Sequence, residues 1–227
     1  MPPLPRRNHL SSGPLQVFWQ ALSPLERGRL ARLDTPYKIQ RFIDTIPYSP
    51  EERYRSPLSA LRDRRAHCFD GALLGATLLR SLGHPPRILE MLPENDDDHM
   101  LAVFQVGGLW GAVAKSNFVG LRYREPIFRS LRELVLSYFE DFFNVLGQKS
   151  LRGYTYPMNL CAWDRLEWMT RDEHLEEIAE HVATLRKVRL VTPKMVRALS
   201  PVDPLSLRSG LLGSDAAGLY KPKKGGR

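Results

Sequence analysis

The strongest constraint in this sequence is the stretch from Ala66 to Leu82, which is apolar almost all the way round a helix. A surface helix keeps its apolar side chains on one face, whereas a helix that is apolar on every side must be covered by other parts of the chain. Gly83 follows directly, at the position where a helix end favours glycine. The pattern therefore predicts one long buried helix as the spine of the domain. Its apolar residues are Phe69, Ala72, Leu73, Leu74, Ala76, Leu78, Leu79 and Leu82.

Segments on both sides of this helix provide its expected cover. Apolar residues at helical spacing predict four further helices, over residues 14–33, 36–47, 126–146 and 172–190. Short runs of residues typical of strands predict three strands, over residues 87–92, 99–106 and 109–115. Gly107 and Gly108 separate the last two strands and are typical of a tight hairpin turn. Helices, a small antiparallel sheet and then helices again predict an α+β fold.

Length and composition favour a single domain. The chain has 227 residues, of which 43% are hydrophobic, and this suffices for a substantial core. We expect a flexible N-terminal arm at residues 1–13, one domain at 14–200 and a basic, disordered tail at 201–227. We see no secretory leader, no apolar run long enough to span a bilayer, and only two cysteines, Cys68 and Cys161. These features lead us to expect a cytoplasmic protein with reduced thiols and no membrane partner.

The charge balance raises the question of nucleic acid. Lys and Arg number 33 against 25 Asp and Glu, which gives a net charge of +8. No aromatic-interleaved basic stripe, zinc knuckle or helix-turn-helix pattern accompanies that charge, so the sequence does not favour nucleic-acid binding. No phosphate-cradling glycine loop or metal-ligand spacing occurs either, and we expect no cofactor and no metal. Asp96, Asp97 and Asp98 indicate a solvated acidic loop, because consecutive residues on a short loop rarely converge on one ion.

Cys68 is the first candidate for chemistry. It lies in the first turn of the predicted buried helix, where unpaired amides and the helix dipole favour an anion such as a thiolate. Five arginines upstream, at positions 53, 55, 62, 64 and 65, would act in the same direction and lower the thiol pKa below about 8.5. The alternative is that Cys68 is a small buried hydrophobe, as many unpaired cysteines are. Cys161 has no comparable helix start, and we interpret it as a packing residue.

His99 favours the reactive interpretation. It opens a strand directly after the acidic loop instead of lying within an apolar face. A nucleophilic cysteine needs a base within hydrogen-bond reach, and a helix N-terminus next to the start of a strand can supply that geometry. The sequence therefore predicts a Cys68–His99 pair.

The order of these motifs resembles the transglutaminase-like superfamily. The resemblance rests on Arg65–Ala72 around Cys68, on the turn Leu82–Arg87 after the helix, on Asp98–Phe104 around His99, and on Gly108–Trp110. It covers roughly residues 54–120. It implies a papain-like fold in which Cys68 is the nucleophile and His99 the general base.

The third catalytic position departs from that family. Four residues beyond Trp110, where these proteins usually place Asp, this chain has Ala114. A two-residue Gly107-Gly108 turn would put Ser116 opposite His99, and a three-residue turn with a bulge would put Asn117 there. We favour Asn117 as the residue that orients His99, since papain-like enzymes can use Asn in this role. Ser116, a displaced carboxylate, or the absence of a third residue are the alternatives. Arg65, Trp110 and Ser116 are expected to line the binding site.

Together these features predict thiol-dependent acyl chemistry on an amide bond of a protein or peptide, by a cysteine protease, an amidase or a transglutaminase-like acyltransferase. Cys68, His99 and Asn117 would form the catalytic triad. The alternative is a catalytically silent module that uses the same fold to bind a protein or peptide, and the missing Asp favours it. The residues do not decide between water and an amine as the acyl acceptor.

Overall fold

The computed structural model describes residues 13–222. Nearly all of the expected N-terminal arm, residues 1–12, and the last five residues of the expected tail lie outside this range. The architecture is α+β, with one antiparallel sheet and helices on both of its faces, as the sequence predicts. No helix within residues 13–222 is long and apolar enough to cross a membrane.

Between residue 13 and the spine, the structure has four short helices. Each begins with proline, which suits the first helical position because its missing N–H would have no intrahelical partner there. Their bounds are α1 Pro14–Ala21, α2 Pro24–Leu30, α3 Pro36–Asp44 and α4 Pro57–Asp63. The predicted helix over 14–33 is therefore two helices, because Ser23 caps the second and Pro24 starts it. The sequence patterns predict no helix at the position of α4.

The predicted spine is α5, Cys68–Ser81, and it is buried from Phe69 to Leu79. Two glycines allow it to approach the sheet closely. A Cβ at Gly71 would lie 2.1 Å from Lys115 Cβ, and one at Gly75 would lie 2.9 Å from a methyl of Val113. Contact this close brings the first turn of α5, which contains Cys68, against the chain that follows the last residue of β3.

The seven-stranded sheet has the order β4-β3-β2-β1-β5-β7, with β6 paired to β1 and every pairing antiparallel. Gln105 pairs with Trp110, which is the register of a two-residue turn. Gly107 and Gly108 both have positive φ, 58° and 83°, as such a turn requires. The three-residue turn that favoured Asn117 is therefore wrong. The strands are β1 Arg87–Pro93, β2 His99–Val106, β3 Leu109–Val113, β4 Arg124–Phe128, β5 Leu151–Thr155, β6 Met158–Asn159 and β7 Lys187–Arg189.

The C-terminal half differs most from the sequence prediction. The predicted helix over 126–146 contains part of β4 and then the short helix α6, Leu131–Leu136, which Ser130 caps. The predicted helix over 172–190 is α7, Leu175–Thr184, followed by β7. Two further helices follow, α8 Pro193–Arg197 and α9 Pro204–Gly210. The described part of the expected disordered tail therefore carries α9 and a 3₁₀ turn at Ala216–Gly218.

Alternating residues of the sheet supply two hydrophobic clusters, as expected for a sheet covered on both faces. Ile88, Ala102 and Val113 pack with α5 and the N-terminal helices on one face. Leu89, Leu101 and Ala112 pack with α6 and the chain that follows it on the other face. The start of α5, the start of β2 and the chain after β3 meet at one edge of this sandwich, and the candidate site lies there.

Candidate active site

Cys68 is the first residue of α5, as the sequence predicts. The residues around it cap the helix. The amide of Phe69 donates to Nδ1 of His67 at 3.1 Å, and Asp70 accepts from the amide of His67 at 3.2 Å. The thiol itself is half-buried, with its sulfur 3.9 Å from the carbonyl oxygen of Asp98. His67 is therefore occupied in capping the helix.

His99 is the first residue of β2 and is only 4% exposed. Its Nε2 lies 2.8 Å from the carbonyl oxygen of Leu121. A carbonyl oxygen can only accept, so the hydrogen bond requires the proton to be on Nε2. Nδ1 is then the ring nitrogen that is free to accept a proton. The structure thus provides the tautomer that a general base needs, through a backbone group.

The thiol and the imidazole line one small cavity of about 40 Å³. Two other sequence-predicted residues, Ser116 and Asn117, line it as well. Arg65 and Trp110 lie elsewhere. Arg65 is exposed, with its guanidinium 3.4 Å from Glu51, and Trp110 lies within β3 with the Arg87 guanidinium over its ring. Of the six predicted site residues, the structure brings four together.

Asn117 does not contact His99 through its amide oxygen. That oxygen accepts from the backbone N–H of Asp215 at 2.8 Å, and the amide nitrogen donates to the carbonyl of Asp215 at 2.9 Å. The hydroxyl of Ser116 accepts from the amide of Phe118 at 3.0 Å. The partner of His99 is the backbone of Leu121, which side-chain patterns cannot reveal because every residue has a carbonyl.

The electrostatic setting of Cys68 is the reverse of the predicted one. Burial, followed by the charges of Asp98 and Asp97, raises the pKa of the Cys68 thiol well above its usual value. The upstream arginines do not offset this rise, because carboxylates already neutralise several of them. Arg55, only 2% exposed, pairs with Glu51 and Asp63, and Arg53 pairs with Asp172.

The imidazole is shifted toward its neutral form as well. Burial lowers the pKa of His99 to about 4, although the hydrogen bond to Leu121 acts in the opposite direction. With the thiol pKa raised and the imidazole pKa lowered, the covered pair rests as a neutral thiol and a neutral imidazole. An ion pair would require a better solvated cavity.

Carboxylates dominate the approach to the thiol. Burial and then the neighbouring Asp98 raise the pKa of Glu90 to about 8 and that of Asp97 to about 6. The small cavity adjoins a wider groove of about 880 Å³, lined by both of these residues and by Cys68. No Lys or Arg among residues 13–222 lines this groove. Its carboxylates are Glu51, Glu52, Glu90, Asp97, Asp98, Glu176 and Glu180.

The clustered carboxylates do not make a metal centre. In the portion of the chain that the structure describes, no three His, Cys, Asp or Glu side chains are arranged so that they could hold a metal ion. Asp96 is instead occupied by a hydrogen bond from the Ser150 hydroxyl.

The C-terminal segment, defined here as residues 215–220, forms one wall of the site. Gly218 and Tyr220 line the cavity that contains Cys68 and His99, and the wider groove is lined by residues 217–220. Gly218 lies against the ring of Tyr48, which also lines the cavity. Neither Tyr48 nor this segment was predicted from the sequence. The segment was missed because the chain from residue 201 has few apolar residues.

Known proteins offer a partial structural likeness. No protein-family model matches the chain, and no curated protein matches it. Among solved structures, the chain is similar to Legionella pneumophila LapG, with 16% sequence identity and a TM-score of 0.32. The overlap covers 43% of this chain and 68% of LapG. A likeness at this level carries no conclusion about function, which must be argued from the geometry of the site.

Proposed function

We propose that this chain is a thiol enzyme of the transglutaminase-like, papain-like class that transfers acyl groups from amide bonds of a peptide or protein. Cys68 is the nucleophile and His99 the general base. The carbonyl of Leu121, in place of the expected Asn117, orients the imidazole. The class itself rests on the sequence resemblance around Cys68 and His99.

The observation that carries the proposal is the hydrogen bond of 2.8 Å between Nε2 of His99 and the carbonyl of Leu121. It fixes the imidazole in the tautomer whose Nδ1 can accept a proton, and His99 shares a cavity with the thiol. A nucleophile and a base whose orientation is set by a third group are the common features of thiol and hydroxyl acyl-transfer sites. A neutral orienting group fixes the ring but stabilises an imidazolium less than Asp would.

The reaction follows from these roles. Nδ1 of His99 takes the thiol proton as the sulfur of Cys68 attacks the amide carbonyl carbon. The carbon–nitrogen bond then breaks, the amine leaves with the proton from His99, and the acyl group remains on sulfur as a thioester. Attack by water or by a second amine releases the acyl group and returns the proton to the thiol. The amide of Cys68, at the first helical position, has no intrahelical acceptor and is available to the developing oxyanion.

Acylation of the chain by p-nitrophenyl acetate tests the proposal. We expect release of p-nitrophenolate and an acetyl group on Cys68, identified by peptide mass spectrometry. Because a general base contributes roughly 10²-fold or more, His99→Ala should slow acetylation of Cys68 by about that factor. His84→Ala is the matched control, since that half-buried histidine packs against Phe104 and does not line the cavity. Equal rates of acetylation in the His99 and His84 variants would contradict the proposal.

A catalytically silent peptide-binding module is the second candidate. The observation that favours it is the resting state of the site, in which the thiol pKa is raised, the imidazole pKa is lowered to about 4 and the C-terminal segment lines the cavity. In that case p-nitrophenyl acetate would acetylate Cys68 no faster than Cys161, which is exposed and has no histidine partner in the proposed mechanism.

A further inference from the structure

We propose that the C-terminal segment, residues 215–220, is an intramolecular peptide ligand that forms one wall of the groove beside Cys68 and keeps other peptides from the thiol. The groove selects peptides with glycine opposite Tyr48 and with basic residues after that glycine. The description of such peptides as substrates rests on the proposed function, whereas occlusion of the thiol does not.

Asn117 binds the backbone of the segment through two hydrogen bonds. Its side-chain amide donates to the carbonyl of Asp215 and accepts from the amide of the same residue, at 2.9 Å and 2.8 Å. This reciprocal pair imitates the hydrogen bonds that two residues exchange in an antiparallel sheet. The side chain of Asp215 plays no part in the pair, so any residue with a backbone N–H could take its place. Asn117 is therefore a peptide receptor of broad tolerance.

Tyr48 supplies the selectivity. A Cβ added to Gly218 would lie 2.7 Å and 2.9 Å from two ring carbons of Tyr48 and 3.2 Å from the amide nitrogen of Asn117. Real Cβ atoms do not approach ring carbons that closely, so either the ring or the peptide would have to move. The positive-φ glycines of the described chain do not include Gly218, so its backbone conformation does not itself require glycine. The requirement is steric and applies equally to any peptide that follows the same path.

Charge favours a basic continuation. The groove is lined by seven acidic side chains, although the chain as a whole has a net charge of +8. Glu51 pairs with Arg55 and Arg65, and Glu90 holds its proton up to about pH 8, which leaves five of them to act on an occupant. Directly after Tyr220 the sequence runs Lys221, Pro222, Lys223, Lys224, and it reaches Arg227. Opposite charges on a groove and its occupant favour association and exclude acidic competitors. The acidic lining of the groove thus matches in charge the lysines that follow the segment in sequence.

The preceding residues tether the segment to a wall of the same cavity. Gly210, the last residue of α9, lies so close to Phe143 that a Cβ there would be 2.4 Å from its ring. The amide of Val202 donates to the carbonyl of Gly147 at 2.9 Å. Phe143 itself lines the cavity of Cys68. A tether this short gives the segment a high effective concentration at the groove, so that modest contacts suffice to keep it bound.

Alkylation of Cys68 by iodoacetamide in the full chain tests the proposal, with Cys161 as an internal reference for reagent dose. Gly218→Val should raise the rate at Cys68 by roughly tenfold, because a bulky side chain at Tyr48 removes the segment and its two hydrogen bonds to Asn117. Leu212→Ala is the matched control, since this residue of the same stretch is 76% exposed and should leave the rate unchanged. Equal rates in the Gly218→Val variant and the unaltered chain would overturn the proposal.

A peptide added in trans provides the second arm and guards against misfolding of the variant. A synthetic peptide of residues 212–222 should restore protection of Cys68 in the Gly218→Val chain, whereas the same peptide carrying the Gly218→Val substitution should not. Equal protection by both peptides would overturn the steric selection. Alkylation of Cys68 could be faster in the Gly218→Val chain while His99→Ala leaves the rate of Cys68 acetylation unchanged. That result would support occlusion of the thiol by the segment and contradict the proposed catalysis.

Discussion

The cavity of Cys68 has two sides that are built in different ways: the thiol side, which contains Cys68 and the start of α5, and the segment side, where Asn117 holds the C-terminal segment. The thiol side comes from chain close in sequence, since Cys68 contacts the carbonyl of Asp98 across 30 positions and the cap of α5 lies within three residues of it. The opposite side joins Asn117 to Asp215 across 98 positions. Helix starts and strand starts leave local patterns in a sequence, whereas a pairing between distant loops leaves none. The positions of Cys68 and His99 could therefore be predicted from the sequence, whereas the contact between Asn117 and Asp215 could not.

The thiol side should be the more important for stability. Asp70 is fully buried, accepts from the amide of Arg55 at 2.7 Å and lies 3.7 Å from its guanidinium. Asp70→Ala would leave a buried guanidinium with fewer partners and would remove the hydrogen bond from the His67 amide that forms half of the α5 cap, so we expect the free energy of unfolding to fall by about 3 kcal/mol. Urea unfolding measures this. Asp34→Ala, which breaks an exposed pair with Lys38, should cost less than about 1 kcal/mol. Similar losses in both variants would remove the distinction.

The acidic lining of the groove should lower the free energy of unfolding by an amount that depends on pH. The native state holds the proton of Glu90 up to about pH 8, whereas the unfolded chain releases it near 4.5. Raising the pH from 4.5 toward 8 therefore lowers the free energy of unfolding, and Glu90→Gln should remove that fall.

For Glu90→Gln we expect a gain of about 1–3 kcal/mol at pH 8 and little change at pH 5, from urea unfolding at both values. Glu94→Gln is the control, since that side chain is exposed beside Arg152. A destabilised Glu90→Gln chain at pH 8 would show that the carboxylate is needed in its charged form.

On the segment side, the effect of Asn117→Ala on the alkylation rate of Cys68 should be opposite to the effect expected from sequence alone. If Asn117 oriented His99, then Asn117→Ala would slow alkylation of Cys68. Because Asn117 instead holds Asp215, we expect Asn117→Ala to speed alkylation by up to roughly tenfold, the equivalent of one or two hydrogen bonds. Ser116→Ala, which removes a local contact with Phe118, should change the rate less than about twofold. Slower alkylation of the Asn117 variant would restore the sequence-based triad.

The contrast between the two sides also shows which parts of the fold and of the candidate site can be predicted from the sequence. The spine helix with Cys68 at its start, the Gly107-Gly108 hairpin and the start of β2 at His99 all follow from periodicity and turn chemistry. The orienting group of His99 is a backbone carbonyl, and no side-chain type marks it. The sign of the thiol pKa shift was wrong because burial of the thiol and the charges of Asp98 and Asp97 raise its pKa, and the arginines that were expected to lower it are paired with carboxylates in space. The C-terminal segment was missed because backbone hydrogen bonds and a glycine hold it, and neither produces an apolar pattern.

The most direct test of the account is the pH dependence of Cys68 alkylation in the Gly218→Val chain, with and without His99→Ala. Removing the segment should hydrate the cavity, so that the thiolate and imidazolium can pair and the apparent pKa of Cys68 falls below about 8.5. We expect His99→Ala to raise that apparent pKa by about one unit or more, since no base then shares the cavity with the thiol. Superimposable pH profiles for the two chains would contradict the central claim that Cys68 and His99 act as a pair.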